Sequence, residues 1–80
     1  MSPPIITIEY CGRWNYEPQF KELKEAILRS VPDAQITGEV GRARSFEVTI
    51  NGKLVYSKLE KGDFPEYDKI VEIVETAKKE

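Results

Sequence analysis

The apolar residues of this chain change their period along its length, and each change marks a boundary between elements. From Ile5 to Tyr10 the segment is β-branched and aromatic, with Ile6, Ile8 and Tyr10 alternating on one face as a strand requires. Ile5 adds an apolar residue on the other face, which predicts a position covered on both sides. From about Glu17 the spacing becomes three and four, so that Phe20, Leu23, Ile27, Leu28 and Val31 fall on one stripe of a helix. Pro18 suits the first helical turn, where a missing N–H costs nothing. The pairs Lys21–Glu25 and Glu25–Arg29 support each other on the solvent face, and Pro32 ends the helix.

Alternation then returns. Ala34, Ile36, Gly38 and Val40 interleave with Gln35, Thr37 and Glu39 as a second strand. Gly41-Arg42-Ala43-Arg44 is a loop, and Phe46, Val48 and Ile50 mark a third strand. Asn51-Gly52 is a two-residue hairpin signal, because both central residues of a type I′ turn need positive φ. Lys53 to Ser57 is therefore a fourth strand, antiparallel to the third. Glu60 to Pro65 reads as a loop, and Tyr67, Ile70, Val71, Val74 and Ala77 complete a last amphipathic helix. The order β-α-β-β-β-α predicts an α/β fold, a four-stranded mixed sheet carrying two helices. Its βαβ crossover should be parallel and right-handed.

That order decides which loops share an end. Strand one finishes at Cys11, strand two at Gly41, and strand three starts near Ser45 at the same end. Strand four returns there, so the 58–65 loop joins them, while Pro32-Asp33 and Asn51-Gly52 lie opposite. The expected functional edge gathers Cys11 to Tyr16, Arg42, Arg44, Ser45 and Phe64.

Composition removes most chemistry from that edge. Eighty residues make one domain over 1–80, with 1–4 as a short N-terminal extension. A chain of this size buries only about 60% of its unfolded surface, so stability is modest. One cysteine and no histidine exclude an internal disulfide, a Cys/His zinc site and a Ser-His or Cys-His pair. A net charge of −2 gives no reason to seek an anionic membrane, and the three arginines of that edge, Arg13, Arg42 and Arg44, make a poor nucleic-acid footprint in an acidic chain. No segment approaches the roughly 20 apolar residues of a membrane span. Met1-Ser2-Pro3-Pro4 has no signal-peptide features and the C-terminal residues carry no prenylation cysteine. A small chain without disulfides belongs in a reducing compartment. The expectation is a cytoplasmic monomer without metal or resident cofactor.

The residues at the edge each admit two readings. A lone cysteine is often a small buried hydrophobe, yet Cys11 follows a strand and precedes a helix, where N–H groups and nearby Arg13, Arg42 and Arg44 favour a thiolate. Trp14 and Tyr16 are either loop aromatics folded onto the sheet or a partly exposed platform beside the thiol. Arg13, Arg42 and Arg44 are solvated charges individually, but together they suit the carboxylates of glutathione or of an acidic partner. Phe64-Pro65 is a loop anchor or part of the same binding edge.

Tyr10-Cys11-Gly12 at a strand end, a helix, then Phe46-Glu47-Val48, Asn51-Gly52-Lys53-Leu54-Val55 and Ser57-Lys58 together resemble the selenoprotein W-like (Rdx) family. From Phe46 to Pro65 the chain is similar to its migration and invasion enhancer branch, including Ser57 to Gly62. The resemblance implies a thioredoxin-like fold and thiol–disulfide exchange with glutathione or a partner protein through a two-chalcogen motif after the first strand. Its first position maps to Cys11. Its second maps to Trp14, which cannot resolve a mixed disulfide, so a two-thiol cycle is excluded for this chain alone. Two readings follow: a single-cysteine thiol–disulfide protein with glutathione as co-substrate, or a redox-inactive interaction module using Trp14, Tyr16 and Phe64.

Overall fold

A computed structural model of the chain describes residues 3–13 and 15–79. Its elements are β1 (Ile5–Tyr10), α1 (Tyr16–Ser30), β2 (Gln35–Val40), β3 (Phe46–Ile50), β4 (Lys53–Ser57), α2 (Lys58–Lys61) and α3 (Tyr67–Lys79). The sheet order is β2-β1-β3-β4. β1 and β2 are parallel, with Tyr10 beside Val40, and β1 and β3 are antiparallel, with Tyr10 opposite Phe46. The ends of β1 and β2, the start of β3 and the return of β4 therefore meet at one end of the sheet, as the element order requires. Asn51 and Gly52 take φ of 51° and 83°, the left-handed pair that a type I′ hairpin demands.

The core lies between one face of the sheet and helices α1 and α3. Ile6, Ile8 and Tyr10 from β1 and Phe46, Val48 and Ile50 from β3 pack with Phe20, Leu23 and Ile27 of α1 and with Ile70 and Val74 of α3. The first helix begins at Tyr16 rather than Glu17, a shift within ordinary end fraying. Phe20 stacks on Tyr10 at 5.1 Å between ring centroids. Its ring also lies over Gly38, where an added Cβ would come within 2.5 Å of it. The glycine in β2 thus lets α1 settle close to the site end of the sheet.

Two expectations are corrected. Ile5 is 52% exposed and Val40 66% exposed, because α1 and α3 share one face of the sheet and β2 is an edge strand; β1 is not covered on both sides. Among the described residues the helices number three, not two, since the stretch after β4 holds the short helix α2. Ser57 caps α2, its Oγ accepting from the Glu60 N–H at 3.2 Å, and Gly62 closes it at φ 86° with its N–H donating to Lys58 O. The strand pairing also carries a bulge: Thr49 pairs with Leu54 but Val48 with Tyr56, leaving Val55 as the extra residue.

Candidate functional site

Cys11 is the first residue after β1, and its N–H donates to Ser45 O at 3.0 Å across the entrance to β3. That bond draws the thiol beneath the 41–45 loop, and the residue is 3% exposed. The thiol at the sheet edge is thus buried rather than open to solvent. Its surroundings are nonetheless not aliphatic. The backbone N–H of Arg44, then that of Arg13, hold the thiol below its ordinary value; burial opposes them, and the charges of Arg13 and Lys58 add to the lowering. The helix dipole plays a lesser part than position alone suggested, since Cys11 lies five residues before the start of α1.

The other expected residues divide by role. Arg13 and Arg44 are exposed, and Arg44 takes a left-handed backbone at φ 65°. Arg42 is not free to orient a partner: its Nε and Nη2 donate to Glu9 at 2.9 and 3.0 Å, and its backbone N–H donates to the same carboxylate at 2.7 Å. Arg42 holds Glu9 at about 2, first through these side-chain and backbone bonds. Ser45 is fully buried, its Oγ and N–H both given to Arg42 O. Tyr16 is 8% exposed and is no platform. It opens α1, and its ring packs on Phe64 at 5.2 Å, which in turn meets Phe46 edge-on at 5.3 Å. Phe64 is the loop anchor, half-buried. Trp14 lies outside the described residues.

Two participants escaped the sequence reading. Lys58 heads α2 and directs its ammonium to Tyr16 Oη at 3.0 Å and Arg44 O at 3.3 Å, with the Tyr16 and Phe64 ring centroids 5.3 and 5.2 Å away. Its position after β4, at the shared end of the sheet, was the signal available. Glu47, opposite Glu9 in the β1–β3 register, is buried under α2, accepting from Ser57 Oγ and from the N–H groups of Phe46 and Leu59. Among the described residues no cluster of metal-ligating side chains occurs. A groove lined by Ile50, Lys53, Val55, Glu72, Ile73 and Thr76 opens at the hairpin end, away from Cys11.

A family model described as the Rdx family matches residues 5–76. This chain belongs to the Rdx family. Among its Rdx relatives, migration and invasion enhancer 1 of Bos taurus is 38% identical over 72 residues, covering 90% of this chain and 63% of that protein. Selenoprotein W of Danio rerio is 35% identical over 75 residues, covering 90% and 87%. The chain therefore spans less than two thirds of the migration and invasion enhancer relatives. The crystal structure of a selenoprotein W-related protein from Vibrio cholerae superposes with a TM-score of 0.86 at 20% identity, covering 95% of this chain and 98% of that one. That likeness establishes the Rdx-type thioredoxin-like fold for the chain. Among the described residues no helix is long and apolar enough to cross a membrane.

Proposed function

We propose that this Rdx-family chain is a single-cysteine thiol–disulfide protein that forms a mixed disulfide with glutathione through Cys11. The observation that carries the reading is the placement of its one thiol: two backbone N–H groups and two cationic side chains favour the ionised form, although the residue is buried. A thiolate is the nucleophile of disulfide exchange. Because Cys11 is 3% exposed, attack requires its covering loops to open locally.

The Cys11 thiolate attacks one sulfur of a glutathionylated protein or of oxidised glutathione. The old S–S bond breaks, and the departing thiolate takes a proton from solvent. The Cys11–glutathione disulfide is then attacked by reduced glutathione, which frees the Cys11 thiolate and leaves oxidised glutathione. External glutathione does the work that a second thiol would otherwise do. Arg13 and Arg44, exposed at the same end, supply charge for the carboxylates of glutathione. The cytoplasm, rich in reduced glutathione, suits this cycle, with the chain acting as a monomer.

The test is incubation with oxidised glutathione, read by intact mass. One glutathione is expected to attach at Cys11, to leave on adding reduced glutathione, and to be absent from Cys11→Ser. A wild type that stays unmodified under conditions that glutathionylate a small-molecule thiol refutes the proposal. The interaction-module reading is disfavoured by the burial of Tyr16 and the packing of Phe64 against Phe46.

A further inference from the structure

The 41–45 turn, whose Ser45 carbonyl accepts from the Cys11 N–H, is held from the far side of β1. Three donors of one residue, the N–H, Nε and Nη2 of Arg42, converge on the Glu9 carboxylate at 2.7, 2.9 and 3.0 Å. Gly41 makes the approach feasible, since a Cβ there would lie 2.4 Å from Glu9 Cγ. Its own N–H is clipped to Tyr10 O at 2.9 Å. From Arg42 the turn is closed by Ser45, whose Oγ and N–H both donate to Arg42 O at 2.6 and 3.1 Å. Between these clamps Arg44 takes φ 65°, a left-handed conformation that a non-glycine residue adopts only under constraint. Ser45 O then accepts from Cys11 N–H at 3.0 Å. A continuous chain of bonds thus runs from the Glu9 carboxylate through the 41–45 turn to the backbone of the cysteine.

We propose that Glu9 is a positioning residue for Cys11, acting through Arg42 to fix the turn whose Ser45 carbonyl holds the cysteine backbone. The proposal rests on the reading of Cys11 as a thiolate site. Charge alone predicts the opposite of what positioning predicts. Removing a carboxylate near a thiol, and releasing the arginine it neutralises, favours the thiolate by Coulomb's law. Loss of the turn, and with it of the Arg44 N–H that favours the ionised form, disfavours it.

The measurement is the ionisation of Cys11 followed by thiolate absorbance across pH, in wild type, Glu9→Thr and Glu9→Gln, with Lys78→Ala as control. Lys78 pairs with Asp33 at 2.8 Å at the opposite end of the sheet, so its loss removes an ion pair without touching the turn. Threonine keeps strand propensity while deleting the acceptor; glutamine keeps one acceptor and should fall between. At the pH where wild type is half ionised, Glu9→Thr is expected to hold roughly two- to fivefold less thiolate, with the control unmoved. A folded Glu9→Thr whose midpoint stays in place or falls overturns the inference while leaving the thiolate site intact, as does an equal rise in Lys78→Ala. If wild type itself titrates as an ordinary thiol, the site reading fails and the inference with it.

Discussion

At Cys11, ionisation and stability are linked. A thiol whose folded value is lowered contributes stability that is absent below its folded midpoint, grows as pH rises through it, and is fully present above the unfolded value of about 8.5. Relative to Cys11→Ser, the wild type should therefore gain stability from neutral to mildly alkaline pH; denaturant titrations across that range would show a flat difference if the thiol is unperturbed. Lys58 acts on the same sulfur only by charge, so Lys58→Gln should raise the ionisation midpoint modestly, less than loss of the Arg44 N–H would. Glu9 has the opposite window. Lowered from 4.5 to about 2, its contribution is complete above pH 4.5 and is lost as pH falls toward 2. The stability difference between wild type and Glu9→Gln should shrink through that interval, modestly because Arg42 is 66% exposed and its partner screened.

Among the elements, α2 was the hardest to foresee. Its four residues bury nothing, so no apolar period could announce it; the signals were Ser57 three residues before Glu60, a capping pattern, and Gly62 beyond the end. Ser57 serves twice, capping α2 and donating to the buried Glu47. Ser57→Ala should cost about 1–3 kcal/mol, since it removes a cap and leaves a buried carboxylate short of a donor; a urea midpoint within error of wild type would contradict this. In β2, Gly38→Ala meets the Phe20 ring and should cost about 1–3 kcal/mol by overpacking, visible as a lowered Tm. The bulge at Val55 had no sequence signal, because Leu54 and Val55 are both apolar and either could face inward.

Across the whole molecule, periodicity and turn chemistry carry the topology, and topology alone brings Cys11, the 41–45 loop and Lys58 to one end. Cys11 and Ser45, Arg42 and Glu9, Tyr16 and Lys58 are joined by contacts between residues tens of positions apart. No local pattern encodes such pairings, so the burial of Cys11 and Tyr16 and the engagement of Arg42 could be read only from coordinates. The same pairings explain how a fold of this size keeps a thiol both covered and polarised. Its ionised form is favoured by N–H dipoles and the Arg13 charge from loops and by Lys58 from the head of α2, while the apolar core is left to the sheet and its two long helices.

The most direct measurement is the pH dependence of Cys11 ionisation in the wild-type chain, set beside an unstructured peptide spanning the same residues. The folded chain should reach half-ionisation at a lower pH than the peptide, with the gap vanishing in denaturant. Coincident curves, or a folded thiol that ionises later than the peptide, would mean that burial outweighs the Arg44 and Arg13 N–H groups, and that Cys11 is a core residue without chemistry.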